Sequence, residues 1–329
     1  LKKAYICLDI GGTKVLGAVF DENLKIISRI KKKTKAEEGK ERIEERIINL
    51  VEELISQSGV PTEKLAAIGA GAPGIINTAK GEVIFSPNIP WRNYNIKTII
   101  EDRFKVPFFI GNDVKVGTLG EWKYGAGVNK TNIVGIFVGT GVGGGAIVNN
   151  ALFTGSKHAG MEIGHMIINT EGPYCNCGQR GCFEAYAGKV AITREIKAQI
   201  ARGRETIFKT LIDENTTVIK SKALKKAIDE KDVLGIEVIN KAAYFMAVGA
   251  GSAINIFNPE MLIMGGGVFE AIGDYLLPII KEQVKKFSMP AILEGTEIVQ
   301  SKLNDDAILY GCLALIEGNC EANPKIERG

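Results

Sequence analysis

A chain of 329 residues exceeds the ~100 to 200 residues of one ordinary domain, so two domains, or two lobes around a cleft, are expected. With 45% hydrophobic and 24% charged residues, and no run approaching the ~18 consecutive apolar residues of a membrane span, the chain is expected neither to cross a membrane nor to be disordered. A net charge of +3, from 41 basic and 38 acidic residues, gives no reason to expect a nucleic-acid or membrane-surface partner.

In chain order, Ala4 to Ile10 reads as a strand, followed by a glycine turn, a strand at Val15 to Phe20, a turn at Asp21 to Asn23 and a third strand, an antiparallel meander. Ile43, Ile47, Leu50, Val51, Leu54 and Ile55 recur at helical spacing, which predicts a helix from Glu38 to Ser58, ending near Gly59 and Pro61. A short strand at Leu65 to Gly71 precedes a loop with Pro73, Pro87 and Pro90; a helix near Lys97 to Phe104, a strand at Val106 to Ile110 and the tetrapeptide GNDV follow. A second meander begins at Asn132: strand IVGIFV, glycine run GTGVGGG, strand AIVNNALF. It repeats the opening strand, glycine turn and strand, which points to a weak internal duplication and two related lobes. Helices near Gly188 to Arg202 and Leu234 to Phe257, a strand at Met261 to Met264, a helix from Phe269 to Phe287 and a closing helix from Asp305 to Glu317 complete the pattern. The expected division is a small lobe over residues 1–116, completed by the C-terminal helix at about 305–320, and a large lobe over 117–304, with a tight hinge near Asn112 to Glu121.

Glycine is in excess, 39 of 329 against a usual ~7%, and it concentrates in candidate ligand loops. Asp9 to Lys14 reads DIGGTK: a carboxylate at a strand end, then Gly11 and Gly12, where amides can approach phosphate without a Cβ in the way, with Thr13 and Lys14 as further donors. Alone it also reads as a structural hairpin turn, and it is not a P-loop. Gly139, Gly141 and Gly144 match G-x-G-x-x-G, but a strand follows where the dinucleotide fingerprint needs a helix. Two such loops, with Gly265 to Gly267 after a third buried strand, together suit a nucleotide triphosphate.

His165, Cys175, Cys177 and Cys182 are spaced H-x9-C-x-C-x4-C, and three thiolates with one imidazole suit a closed, structural Zn²⁺ site. No secretory signal opens the chain, so the protein is expected to be cytoplasmic and its six cysteines reduced. Asn112 and Asp113 close a strand, where a carboxylate can take a proton from an attacking hydroxyl; an Asn-Asp pair also reads as a helix cap. Glu162 and Glu184 flank the cysteine loop, as binders of sugar hydroxyls or as plain surface charge.

The segments LDIGGTK, GAPG at 71 to 74, SPN at 86 to 88, GNDV, GTGVGGG, EIGH at 162 to 165, CNCGQRGCFE and MGGGV together resemble the ROK family (repressors, open reading frames, sugar kinases), and within it the bacterial ROK glucokinases. The resemblance implies an α/β, two-lobed actin-like ATPase (ribonuclease H-like) fold and ATP-dependent phosphorylation of a hexose, commonly on its 6-hydroxyl, most simply glucose. It implies Asp113 as the catalytic base and Gly74, Asn88, Asn112, Glu162, His165 and Glu184 around the sugar. Asp9 then resembles the Mg²⁺ residue. Gly11, Gly12, Thr13 and Lys14, with Gly139, Thr140, Gly141 and Gly143, resemble the phosphate loops, and Gly265 and Gly266 the adenosine loop. His165 is implied to serve both zinc and sugar. The family suggests a homodimer. Met161 stands where glycine commonly precedes the Glu, and Val114 where alanine commonly follows the Asp; both are expected to reshape the sugar pocket. The alternatives are an N-acetylhexosamine kinase, a fructokinase, or a sugar-sensing regulator, which is expected to carry a DNA-binding module ahead of a DIGG strand that here starts within the first ten residues.

Overall fold

The structure, a computed structural model, describes residues 3–321, and their contacts divide into two units. The first comprises the chain up to Val128, Leu152–Gly160 and the chain from Asp306; the second comprises Asn129–Ala151 and Met161–Asp305. The expected boundary at residue 116 and the expected hinge at 112–121 both fall on a continuous helix, Asp113–Tyr124. That helix packs along its length against the last helix of the chain, so no break in contacts occurs there.

In the first unit, β1 (Ala4–Ile10), β2 (Lys14–Phe20) and β3 (Ile26–Lys33) form the expected meander. β3 is the sheet edge, and exposed Arg29, Lys31 and Lys33 give it the charge that discourages pairing with another chain. α1 (Lys40–Ser58) buries Ile43, Ile47, Leu50, Val51 and Leu54 on one face, each contributing ~1.5–3 kcal/mol of burial, and stops at Gly59 in a left-handed conformation (φ 67°). β4 (Leu65–Ala72) pairs in parallel with β1. The proline-rich stretch, expected as loop, holds a small antiparallel sheet of β5 (Ile75–Asn77), β6 (Glu82–Phe85) and β7 (Arg92–Tyr94). These strands are too short for a period-two pattern to show. α2 (Ile96–Phe104), capped by the Asn95 side chain, leads to β8 (Phe108–Asn112), parallel to β4, and to α3 (Asp113–Tyr124). The last helix, α11 (Ala307–Glu321), buries Leu309, Cys312, Leu313 and Ile316 against β1, β4 and α3.

The second unit repeats this plan. β9 (Ile133–Val138), β10 (Val142–Val148), β11 (Ala151–Leu152), β12 (Met261–Gly265) and β13 (Glu297–Gln300) lie in the order β11-β10-β9-β12-β13, matching β3-β2-β1-β4-β8 of the first sheet. In both, the first hairpin is antiparallel and the strands beyond it add in parallel. The glycine run differs from expectation: only Gly139 to Gly141 turns, while Gly143, Gly144 and Gly145 lie inside β10, paired with Phe137, Ile136 and Gly135.

Helices α4 (Glu184–Ala187), α5 (Lys189–Ala201), α6 (Phe208–Leu211), α7 (Ser221–Asp229), α8 (Val233–Phe257), α9 (Gly267–Val284) and α10 (Pro290–Leu293) complete the unit. Among the described residues, α8 alone is long and apolar enough to cross a membrane. Here it is a core helix, with Leu234, Ile239, Ala243, Met246, Ala250 and Ile254 buried.

Candidate active site

Parallel strands end together, so whatever follows each one gathers at one end of the sheet. In the first unit Asp9 on β1 is in register with Gly71 on β4, and Gly71 with Gly111 on β8. The Gly11–Lys14 turn, Gly74 and the Asn112–Asp113 pair leave these three strands at the same end. The turn is closed by the Gly11 amide donating to the Lys14 carbonyl at 2.9 Å and by the Thr34 amide donating to the Thr13 carbonyl at 2.9 Å. The Thr34 hydroxyl also donates to the Gly11 carbonyl. Thr34 lies in no motif, so sequence reasoning missed it; only the fold brings it to the turn.

Asn88 reaches this cluster from the β6–β7 connection. A Cβ at Gly12 would lie 2.7 Å from the Asn88 carbonyl oxygen, so only glycine permits the turn to touch the SPN loop. Asn112 is both cap and tie: its Oδ1 accepts from the Lys115 amide at 3.1 Å, and its Nδ2 donates to the Gly74 carbonyl at 3.0 Å. Asp113 follows as the first residue of α3, its Oδ1 accepting from the Val114 amide at 2.9 Å. Asp113 thus sets an acidic side chain in the first turn of α3, the end of a helix that favours negative charge. Beneath the sheet end, Cys312 is fully buried, and burial together with the charge of Asp9 pushes its thiol pKa up.

In the second unit Gly139, Thr140 and Gly141 follow β9, and Gly265 and Gly266 end the parallel β12; Gly265 pairs with Phe137. Gly266 caps α9 with φ 86°, and a Cβ there would meet the Val138 carbonyl oxygen at 2.7 Å. The Gly139–Gly141 turn is held by the N-terminal amides of α5: Lys189 donates to the Gly139 carbonyl at 3.0 Å and Val190 to the Thr140 carbonyl at 3.2 Å. Gly143 is drawn into β10.

Glu184, at the start of α4, lies over this turn. One carboxylate oxygen accepts from the Val142 amide at 2.9 Å, and the other lies 3.6 Å from Cys175 Sγ. Its carboxylate thus bridges the glycine turn and the cysteine loop. Glu162 is exposed, between buried Met161 and Ile163, and opens the 3₁₀ turn that carries His165. Met161 is held in a left-handed conformation (φ 62°), which glycine adopts without strain, and its side chain packs in the unit's hydrophobic core. The Met161 side chain is therefore spent on the core, next to Glu162.

The ligand atoms of His165, Cys175, Cys177 and Cys182 all lie within 4.8 Å of one another. Cys177 and Cys182 sulfurs are 3.6 Å apart, and His165 Nδ1 is 3.7 Å from Cys175 Sγ. A tetrahedral zinc with Zn–S bonds of ~2.3 Å requires sulfurs ~3.8 Å apart, so the donor set and spacing fit such an ion. The loop is tied by the Cys175 amide donating to the Gln179 carbonyl at 2.8 Å and the Gly178 amide donating to the Cys175 carbonyl at 3.0 Å. Burial pushes the Cys175 thiol up to about 12. For Cys177 burial acts in the same direction, but the Gln179 amide and the neighbouring thiols outweigh it and lower its pKa.

Residues 5–319 match the sequence profile of the ROK family. The chain is 32% identical over 317 residues to a glucokinase of Thermotoga maritima, covering 96% of this chain and 98% of that protein. It is 31% identical over 279 residues to a xylose repressor of Caldicellulosiruptor bescii, covering 85% of this chain and 69% of that one. Its structure matches a ROK family glucokinase from Streptomyces griseus, solved with glucose and AMPPNP, at a TM-score of 0.79 and 27% identity over 95% of this chain and 98% of that one. The fold is the actin-like ATPase fold.

Proposed function

We propose that this chain, which belongs to the ROK family, is a sugar kinase that transfers the γ-phosphoryl group of ATP to the 6-hydroxyl of a hexose, glucose first among candidates. The observation that carries the reading is the convergence of the DIGGTK turn, Gly74, Asn88, Asn112 and Asp113 at one end of the first sheet. Relatives named glucokinase along nearly the whole chain, and a solved relative holding glucose and AMPPNP, support it.

In this reading the sugar oxygen attacks the γ-phosphorus, its proton passes to the Asp113 carboxylate, and the bond from the phosphoryl group to ADP breaks. Turn amides at Gly11 and Gly12, with Thr13 and Lys14, stabilise charge on the phosphoryl oxygens, and the Gly139–Gly143 and Gly265–Gly266 segments receive the rest of the nucleotide. Mg²⁺, held by Asp9 and the phosphates, would neutralise phosphate charge, and an acidic side chain beside a glycine turn has the oxygen chemistry for it. Glu162, His165 and Glu184 accept from or donate to sugar hydroxyls. Zn²⁺ on His165, Cys175, Cys177 and Cys182 is structural, since four protein ligands leave no water position. Reduced thiols in such a set suit a cytoplasmic compartment.

A second reading, a sugar-sensing regulator, is favoured by the xylose repressor relative. Incubating the purified protein with Mg-ATP and glucose, mannose, fructose or N-acetylglucosamine, and measuring ADP and sugar phosphate, separates them. Turnover with glucose establishes the proposal, and preference for fructose or N-acetylglucosamine keeps the mechanism and moves the substrate. Sugar binding without turnover favours the regulator.

A further inference from the structure

Lys115 is only 4% exposed, although it carries an ammonium group and stands in the same first turn of α3 as Asp113. A buried ammonium is costly unless it donates hydrogen bonds, so its placement demands a partner. Lys115 Nζ donates to the carbonyl of His158 at 2.8 Å. His158 belongs to a loop folded on itself: the Gly160 amide donates to the Thr154 carbonyl at 2.8 Å and the His158 amide to the Gly155 carbonyl at 3.3 Å. Gly155, His158 and Met161 have φ of 72°, 60° and 62°, so two residues with side chains are kept in a conformation that L residues rarely adopt. Residues Leu152–Gly160 belong to the first unit, with α3.

We propose that Lys115 is a positioning residue for sugar binding: by holding the His158 carbonyl, its ammonium anchors the first turn of α3 to the Thr154–Gly160 loop and so fixes Asn112, which accepts from the Lys115 amide, and Asp113. The inference rests on the reading of Asn112 and Asp113 as residues of the sugar site. It does not require Lys115 to touch sugar or nucleotide. A misplacement of about 1 Å in a binding group costs up to ~100-fold in rate, so loss of the tie has a measurable kinetic signature.

The test uses the full-length protein and the variants Lys115→Met, Lys115→Arg and Gly160→Ala, with sugar affinity measured by calorimetry beside steady-state kinetics. Lys115→Met is expected to raise the sugar Kd and KM by roughly tenfold or more and leave the KM for ATP within about twofold, with Lys115→Arg restoring most of the loss. A Cβ at residue 160 would lie 2.9 Å from the Phe153 ring and from the Thr154 carbonyl carbon, so Gly160→Ala disturbs the same loop from its other side. It is expected to reproduce the sugar-specific loss even where Lys115→Met fails to fold. A folded Lys115→Met protein with wild-type sugar affinity overturns the inference, as do equal losses for sugar and ATP, a loss that Lys115→Arg does not repair, or a Gly160→Ala protein with unchanged sugar affinity. A wild type that binds sugar without phosphorylating it defeats the kinase reading, and sugar affinity in the variants still decides the role of Lys115.

Discussion

Asn112 shows how much a single side chain carries at this site. It caps α3, ties Gly74, and holds the backbone from which Asp113 projects. The Asn-Asp pair read in sequence either as a proton-accepting carboxylate or as a helix cap; the structure gives the cap directly and adds the tie to Gly74. Gly12 is the complementary case. Alanine there would press its Cβ against Asn88, and we expect Gly12→Ala to lower kcat/KM for sugar roughly tenfold or more while circular dichroism is unchanged. The buried thiols of Cys7 and Cys312 give a pH prediction. Burial raises both pKa values above those of the unfolded chain, so their contribution is complete below about pH 9 and is lost as pH rises through the alkaline range. Unfolding free energy is expected to fall above about pH 9 by up to ~1.4 kcal/mol per pH unit per thiol, read as a falling melting temperature, and Cys7→Ala with Cys312→Ala to flatten that limb. Asp9 beside Cys312 could not be foreseen, because the two residues lie at opposite ends of the chain.

At the scale of elements, long periodic segments were legible and short ones were not. α1, α8, β1 and β9 follow from their apolar patterns. β5, β6 and β7 are too short to show a period, and the glycines of β10 read as turn until pairing with β9 makes them strand. The cysteine loop was legible because its chemistry is local: four ligands of two types, one imidazole and three thiols, lie at metal spacing in one stretch of chain. That Glu184 joins this loop to the Gly139–Gly141 turn was not, since the contact depends on how α4 packs. Chelation should therefore act on two ligands in order. Metal analysis is expected to find one zinc per chain, and its removal to weaken sugar affinity before ATP affinity; unchanged sugar affinity in zinc-free protein would refute the link through His165. Met161 separates two opposing effects. Met161→Gly relieves left-handed strain worth about 1 kcal/mol but empties a core position worth roughly 2–5 kcal/mol, so thermal unfolding should show net destabilisation.

At the scale of the whole molecule, the two sheets share one strand order, and each collects its glycine turns where its parallel strands end. Repetition of strand, glycine turn and strand announced that plan in the sequence. The assignment of residues 152–160 to the first unit, between stretches of the second, was not legible, because it depends on contacts such as Lys115 to His158 rather than on any local pattern. The same plan puts Asp113 after β8, at the sheet end where the DIGGTK turn lies, and the proposed phosphoryl transfer assigns proton acceptance to that carboxylate. The most direct test measures sugar-phosphate formation from Mg-ATP by wild type and Asp113→Asn side by side, with sugar affinity determined for both. The account predicts a fall in turnover of about 10²- to 10⁴-fold with sugar affinity nearly retained. Turnover close to wild type in the folded variant would contradict it.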